Sequence, residues 1–387
     1  MTNRTTWYFD IRHKPPYYRE SLAAVSHQYH AFGEYLRTEN PEPKTEFPLK
    51  AAVLHATGQP FQIEDVPIPE IGPDEVLIQT QTCGICRTDI HIQDGLAYVP
   101  SLPLIPGHEP AGVITQVGER VTGWSTGDRV VPHLFMTCGE CCYCRGGKDA
   151  QCSDVEGIIG VTCGGGFAEY FKAPARNLLR LPDEVPFDIG GLVSCAVITA
   201  VHAYRRSRLS VNDTAVVLGA GGIGQILIQI LKAAGARVVA WSRSRASLDI
   251  AQQVGADLAL SLLDESAVEK IQEFSGTGGA AVVYECVGYA NTMKLASQSV
   301  MRGGQIVVIG EEADFPEIDT IQIAQRELEI IGSRNGSRQD ASDALAWMAA
   351  GVIAPPIYAR FPLDEFNKGL QLVRDGSAHG RVIIEVR

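Results

Sequence analysis

A short segment in the first half of the chain is crowded with cysteines at the spacing of a metal-binding knuckle. The run Cys138-Gly139-Glu140-Cys141-Cys142-Tyr143-Cys144 is followed by Cys152. Thiolates separated by two residues converge readily on one tetrahedral ion, most often zinc. Because Cys138, Cys141, Cys144 and Cys152 would fill all four positions, the pattern predicts a structural zinc site. A disulfide cluster is the alternative, and the spacing also permits Cys142 in place of Cys141.

Length and composition favour an ordinary two-domain globular protein. The 387 residues exceed what one hydrophobic core usually spans, and the 45% hydrophobic and 20% charged residues are typical of soluble chains. No apolar run approaches a membrane span, and the net charge of -12 argues against nucleic-acid and anionic-membrane partners. The start of the chain has no apolar signal segment, and the grouped cysteines suit a reducing compartment. We therefore expect a cytoplasmic location.

Composition and hydrophobic pattern divide the chain into three regions. Residues 1–48 form an aromatic-rich extension, and a helical stripe in it favours docking on the body or on a neighbouring subunit over a loose arm: Leu22, Val25, Tyr29, Phe32 and Leu36. Residues 49–186 contain short strands, such as 75–80 and 111–117, and predict a small β-barrel. Residues 187–345 alternate strand and helix, which predicts a doubly wound parallel sheet. Residues from about 346 to 387 would complete the barrel through a strand at 381–386.

A glycine-rich turn follows the first predicted strand of the second domain. The strand Thr214-Ala-Val-Val-Leu218 runs into Gly219-Ala220-Gly221-Gly222-Ile223-Gly224, which opens an apolar helix. In such a turn the backbone approaches a pyrophosphate, which the helix dipole stabilises. The context predicts a dinucleotide site built on Gly219, Gly221, Gly222, Ile223 and Gly224; a turn that serves packing alone is the alternative.

The end of the next predicted strand bears on the choice of dinucleotide. A cofactor without a 2′-phosphate usually meets a carboxylate there, whereas this chain has Trp241-Ser242-Arg243-Ser244-Arg245. Hydroxyl and guanidinium groups suit a phosphate. We therefore predict NADP(H) rather than NAD(H), with Ser242, Arg243 and Arg245 as ligands; solvated surface arginines are the alternative.

A second set of metal-ligand residue types is dispersed along the chain. It comprises Cys83-Gly-Ile-Cys86-Arg-Thr-Asp-Ile-His91, then Gly107-His108-Glu109, and much later Ser194-Cys195-Ala196. A single histidine or cysteine is more often a packing residue than a ligand. The spacing alone therefore permits, but does not demand, an open three-ligand site.

From about residue 49 to its end the chain resembles the zinc-dependent medium-chain alcohol dehydrogenases. The resemblance is carried by Cys86-Arg-Thr-Asp-Ile-His91, Gly107-His-Glu109, the four-cysteine segment and Gly219-Ala-Gly-Gly-Ile-Gly224, in that order. It implies an α/β protein with a GroES-like β-barrel domain joined to a Rossmann domain, and an active site in the cleft between them. The short stretch after Cys152 resembles the bacterial and yeast branch, which implies a homo-oligomer, a tetramer rather than a dimer.

The same resemblance assigns roles to individual residues. Cys86, His108 and Cys195 would hold a catalytic zinc ion, and the four clustered cysteines a second, structural one. Thr88 and His91 would relay a proton, while Asp89 would orient His108 and Glu109 would lie beside the metal. On the cofactor side the resemblance implies three further residues, namely Arg87, Arg381 and Ile309.

The implied reaction is hydride transfer between a small alcohol or aldehyde and a nicotinamide cofactor, with the zinc ion acting as a Lewis acid. With NADPH as the expected cofactor, reduction is the expected physiological direction. A polyol or formaldehyde dehydrogenase of the same fold remains an alternative, as does a non-catalytic zinc and nucleotide-binding protein. The three ligands argue against zinc-free quinone or enoyl reductases, and the sequence does not identify the substrate.

Overall fold

The computed structural model describes residues 48–96, 101–312 and 314–387. The amphipathic stripe predicted between Leu22 and Leu36 lies outside the described residues, so its docking stays a prediction. The same holds for the role of the whole segment before Leu49.

The strands lie at both ends and in the middle of the described chain. In chain order they are β1 (Leu49–Val53), β2 (Gln62–Val66), β3 (Glu75–Ile85), β4 (Pro110–Val117), β5 (Arg129–Pro132), β6 (Phe135–Thr137), β7 (Val155–Ile158), β8 (Tyr170–Pro174), β9 (Leu178–Arg180), β10 (Thr214–Leu218), β11 (Arg237–Ser242), β12 (Leu258–Ser261), β13 (Ala280–Glu285), β14 (Val300–Val308), β15 (Glu329–Gly332), β16 (Ile357–Pro362) and β17 (Arg381–Glu385).

The α-helices concentrate in the second half of the chain. They are α1 (Arg87–Asp94), α2 (Cys142–Arg145), α3 (Phe187–Gly190), α4 (Ala196–Arg206), α5 (Gly222–Ala233), α6 (Arg245–Gln253), α7 (Ala267–Ser275), α8 (Ala290–Ser299), α9 (Thr320–Arg326), α10 (Arg338–Ala349) and α11 (Phe366–Arg374). Among the described residues no single helix has both the length and the apolar composition to cross a membrane. One bent pair, Phe187–Ser194 with Ala196–Arg206, meets those two criteria only when taken together.

The strands form two large sheets of different character. A seven-stranded sheet has the order β16-β17-β3-β4-β5-β9, with β8 beside β3, and it is antiparallel except for the β16–β17 pair. A six-stranded sheet, entirely parallel, has the order β12-β11-β10-β13-β14-β15. The parallel strands are short apolar runs because helices cover both faces. The predicted fold class, a barrel domain with a doubly wound sheet, is confirmed.

The C-terminal strand returns to the first sheet, as the sequence indicated. β17 pairs antiparallel with β3, although it lies almost 300 residues further along the chain. One core cluster also contains side chains from both sheets, including Val131 and Ile383 beside Val217 and Val238. Shared packing of this kind fixes how the two sheets face each other. The domain bounds 49–186 and 187–345 themselves stay a prediction.

A segment after β15 fixes the turn that carries Cys195. Asn335 Nδ2 donates to the carbonyl of Ser194 at 3.0 Å, and His133 Nε2 lies 3.0 Å from the carbonyl oxygen of Gly336. Next to it Asp340 caps α10, since its carboxylate accepts from the amide and hydroxyl of Ser337. The Asn335 bond holds the backbone beside Cys195, and the other contacts anchor the segment that carries Asn335.

Candidate active site

Three distant segments bring four metal-ligand side chains together. Cys86 precedes α1, His108 and Glu109 precede β4, and Cys195 lies between a 3₁₀ turn (Gly191–Ser194) and α4. One ligand atom from each of these four residues lies within 4.8 Å of the others. The structure therefore unites the predicted ligands Cys86, His108 and Cys195, and it adds the carboxylate of Glu109 to the same group.

Glycines allow these segments to approach so closely. A β-carbon at Gly84 would collide with Glu109 Oε2. Gly107 has a φ of +102°, which L side chains rarely adopt, and a β-carbon there would lie 2.5 Å from the amide nitrogen of Phe167. Only glycine at both positions lets His108 and Glu109 reach the group.

The surroundings of His108 fit a metal ligand. The side chain is 1% exposed, yet its Nε2 makes no hydrogen bond to any described residue. Its Nδ1 lies 3.3 Å from Asp89 Oδ1, and Asp89 Oδ2 accepts from the amide of Cys86 at 2.9 Å. Burial lowers the pKa of His108, but the Asp89 carboxylate and the Cys86 sulfur together outweigh it and raise the pKa overall. Asp89 thus links two ligands and orients the imidazole, as metal-bound histidines require.

The thiols in this group are electrostatically coupled. A hydrogen bond from Cys195 lowers the pKa of the Cys86 thiol, and the same interaction together with burial raises the pKa of Cys195. A bound cation would stabilise both thiolates at once. The donor set of two sulfurs, an imidazole and a nearby carboxylate is therefore one that could hold zinc.

A buried ion pair joins this group to the dinucleotide turn. The guanidinium of Arg381 bonds to Glu109, whose side chain is fully buried, and also donates to the carbonyl of Ile85 at 3.2 Å. Burial raises the pKa of Glu109 to about 7, although Arg381 opposes the shift. A β-carbon at Gly222 would lie 2.8 Å from Arg381 Cδ, so this side chain packs directly on the turn.

The predicted dinucleotide turn lies between β10 and α5. Gly219 has a φ of +101° and donates its amide to the carbonyl of Trp241, and α5 begins at Gly222 with Gly221 as its N-cap. A β-carbon at Gly224 would collide with the carbonyl of Gly219, which explains the third glycine. Nothing lies within 4 Å of a β-carbon built on Gly221, so the outer side of the turn can accept a phosphate.

Other predicted cofactor residues lie at the carboxyl ends of neighbouring strands. Ile223 lies in the first turn of α5, and Ile309 follows β14 and donates its amide to the carbonyl of Glu285 at 2.8 Å. Ser242 is buried at the end of β11, and Arg243 beside it is exposed. Arg245 Nε pairs with Asp249 Oδ1 at 2.8 Å along α6.

His379, which the sequence analysis did not single out, contacts the start of α6 beside the predicted cofactor residues. His379 Nδ1 lies 3.3 Å from Ser244 Oγ and 3.4 Å from Ser247 Oγ, at the start of α6. Its distance in sequence from these serines hid it, because the contact exists only once β17 has joined the first sheet. No local pattern around His379 could have indicated it.

The predicted proton-relay residues lie on α1. Thr88 Oγ1 is 3.8 Å from Cys86 Sγ, next to the metal-ligand group. His91 lies one turn further along, where its Nε2 is 3.9 Å from Glu312 Oε1. Arg87 Nε donates to the same oxygen at 3.0 Å. Glu312, which follows β14, is a second residue that sequence reasoning missed.

The four-cysteine segment forms a second group of ligands away from the cleft. Sγ of Cys152 lies 3.6 Å from that of Cys138 and 3.9 Å from that of Cys141, and Cys138 and Cys144 are 4.0 Å apart. Sulfurs bound to one tetrahedral zinc at about 2.3 Å are separated by about 3.8 Å. These distances fit zinc, while the exposed Cys142 lies outside the group.

Backbone amides support these sulfurs. The amides of Cys141, Cys144 and Asp154 lie 3.4–3.5 Å from the sulfurs of Cys138, Cys141 and Cys152. The Cys144 amide is the main reason that the pKa of Cys141 falls to about 5. The segment also contacts α10, because the amide of Arg338 donates to Asp149 Oδ2 at 3.1 Å.

Comparisons with known proteins agree with this arrangement. Residues 72–183 match the alcohol dehydrogenase GroES-like domain model, and residues 222–350 match the zinc-binding dehydrogenase model. An alcohol dehydrogenase of Geobacillus stearothermophilus is 36% identical over 87% of this chain and 100% of its own length. The chain belongs to the zinc-dependent medium-chain alcohol dehydrogenase family. The predicted family is therefore confirmed.

Other members of this alcohol dehydrogenase family are nearly as similar. An NAD-dependent alcohol dehydrogenase of Sulfolobus acidocaldarius is 29% identical over 87% of this chain and 100% of its own. A cobalt- and zinc-bound thermostable alcohol dehydrogenase of Pyrobaculum aerophilum has a TM-score of 0.80 at 28% identity, covering 88% of this chain and 100% of that one. The whole length of these enzymes is represented in the chain.

We expect Cys144→Ser to remove one zinc ion per chain and to lower the melting temperature, because three thiolates and a hydroxyl hold zinc poorly. The measurement is elemental analysis with thermal unfolding of the purified protein. Cys142→Ser is the matched control, since it removes an adjacent thiol outside the group. Equal zinc content and stability in the two variants would contradict the assignment.

Proposed function

We propose that the chain is a zinc-dependent alcohol dehydrogenase or aldehyde reductase that prefers NADP(H). The observation that carries the proposal is the group of Cys86, His108 and Cys195 beside the dinucleotide turn, joined to it by the Glu109–Arg381 pair. Membership of the family supports the reaction class. The arrangement favours a catalytic protein over a merely structural zinc and nucleotide-binding one, because the ligand group faces the cofactor turn.

In the proposed reaction the chain's own groups orient the reactants and move a proton. Zinc, held by Cys86, His108 and Cys195, supplies Lewis-acid chemistry when bound, and the nicotinamide cofactor is the hydride partner. Asp89 keeps the His108 ring in orientation, and the buried Glu109–Arg381 pair balances charge behind the ligands. Thr88 accepts the proton that the alcohol releases as its own hydroxyl proton moves on towards His91, whose imidazole takes up one proton and returns one to solvent.

Two zinc ions per chain are proposed, one in each ligand group. The sulfur separations support the structural site, and the unpartnered Nε2 of buried His108 supports the catalytic one. Cys83, Cys163 and Cys286 lie outside both groups. Reduction is the proposed physiological direction. Assays with a panel of alcohols, polyols and aldehydes would identify the substrate class.

Cys195→Ala is expected to abolish turnover of every alcohol and aldehyde tested, since it deletes one of three zinc ligands, while cofactor binding persists. Steady-state kinetics, cofactor titration and zinc content measure these effects together. Cys163→Ala, which removes a thiol outside the ligand groups, should retain activity. Full turnover in the Cys195 variant would overturn the assignment.

The NADP(H) preference is supported by the residues at the end of β11. A neutral Ser242 is followed by exposed Arg243, and Ser244, Ser247 and His379 add polar groups at the start of α6. No carboxylate follows β11 to bind a ribose diol. One relative is named as NAD-dependent, so the choice rests on these side chains rather than on the family.

The double variant Ser242→Asp/Arg243→Ala is expected to lower the ratio of kcat/KM with NADP(H) to that with NAD(H) by about ten- to a hundredfold. The added carboxylate repels a 2′-phosphate and binds a free diol. Arg206→Ala, which removes an exposed arginine at the end of α4, serves as the control, and Arg245→Ala should lower the ratio less than the double variant because Arg245 already pairs with Asp249. An unchanged ratio in the double variant would refute the proposed phosphate site.

A homo-oligomer, a tetramer rather than a dimer, is also proposed. β15 is an edge strand, and apolar side chains lie exposed on and near it: Ile318, Ile321 and Ile330. Exposed edge strands beside apolar residues are suited to pairing with a second copy of the chain.

The double variant Ile318→Asp/Ile321→Asp is expected to lower the molecular mass measured by light scattering, because it places charges on this apolar surface. A monomeric wild-type protein would contradict this proposal.

A further inference from the structure

An ion pair crosses the cleft at the sheet edge that carries the dinucleotide turn, because Gly219 packs on Val287 and the next residue, Gly288, contacts the backbone of Glu312. Glu312, from the parallel-sheet side, accepts a hydrogen bond from Arg87 Nε at 3.0 Å, on the barrel side. The same oxygen lies 3.9 Å from His91 Nε2. The Glu312 side chain is 16% exposed, whereas that of Arg87 is 53% exposed. The carboxylate is thus the more deeply placed partner.

The backbone around Glu312 is held in position on both sides. Gly288 has a φ of +94°, and a β-carbon there would lie 2.8 Å from the amide nitrogen of Glu312, so the two segments are in close contact. Asp314 Oδ2 accepts from the amide of Ala290 at 2.8 Å. The carboxylate of Glu312 therefore projects toward Arg87 from a fixed base.

We infer that Glu312 sets the cofactor affinity by competing with the pyrophosphate for Arg87. The inference rests on the proposed function together with the predicted cofactor role of Arg87. Glu312 occupies the Nε–H of Arg87. A pyrophosphate that uses this edge of the guanidinium must displace Glu312, and one that uses the other N–H donors lies beside the Glu312 carboxylate and is repelled by it, so either arrangement weakens binding.

Displacement leaves a poorly solvated carboxylate near added negative charge. A shielded carboxylate that loses its partner makes the free energy of cofactor binding less favourable, and repulsion between the carboxylate and the pyrophosphate adds to this effect. Cofactor binding is weakened by this amount, and cofactor release is favoured, because the Arg87–Glu312 pair forms again as the cofactor leaves. Glu312 is thus a positioning residue that sets cofactor affinity through Arg87.

The test compares Glu312→Gln with Glu311→Gln in the full-length protein. Both substitutions remove one negative charge at neighbouring positions, but Glu311 is exposed. Fluorescence titration with NADPH and with NADH is expected to give a Kd roughly three- to tenfold lower for E312Q than for wild type. The Kd of E311Q should match wild type, and the gain should shrink at high salt. Loss of structure would weaken binding, so tighter binding cannot arise from damage.

The Arg87→Gln variant tests whether the effect of Glu312 on cofactor binding depends on Arg87. Arg87→Gln should weaken cofactor binding, and adding E312Q to it should recover much less affinity than E312Q gains in wild type. An equal or weaker affinity of E312Q, or an equal gain in E311Q, would overturn the inference while leaving the proposed function intact. Failure of the wild-type protein to bind either cofactor would instead refute the proposed function.

Discussion

The buried ion pair between Glu109 and Arg381 is the contact on which the rest of the site depends. Glu109 belongs to the metal-ligand group, while Arg381 begins the last strand and packs against the dinucleotide turn at Gly222. One guanidinium therefore joins the metal site, the barrel sheet and the cofactor turn. A pair this deeply buried is stable only when both charges are present. Because both charges must be present, the pair fixes the position of the metal-ligand group relative to the dinucleotide turn.

The two ligand groups, the candidate catalytic group of Cys86, His108 and Cys195 and the four-cysteine segment, are held together in different ways. The four-cysteine segment has little apolar side chain of its own, and a zinc ion on its sulfurs, which are 3.6–4.0 Å apart, would supply the stability that a hydrophobic core provides elsewhere. The catalytic group uses side chains from three segments, so the whole fold must form before the ligands meet. Its stability comes from the surrounding sheets and hydrogen bonds, which include the contact between Asn335 and the carbonyl of Ser194.

Local sequence patterns predicted those parts of the site that are built from one segment. The four-cysteine spacing and the glycine turn each specify a geometry within a few residues, and the structure has both. The union of Cys86, His108 and Cys195 was implied only by family resemblance, because spacing cannot bring distant residues together. Glu312 and His379 were missed for the same reason: each meets its partners through a pairing of sheets and has no motif around it. The domain bounds stay a prediction.

Two separate ligand groups are proposed to hold zinc, one of them beside the cofactor turn. Anomalous diffraction from crystals of the purified protein, recorded on both sides of the zinc absorption edge, locates both ions. We expect two peaks per chain, one surrounded by Cys138, Cys141, Cys144 and Cys152 and the other between Cys86, His108 and Cys195. A catalytically active crystal form with no peak between Cys86, His108 and Cys195 would contradict it.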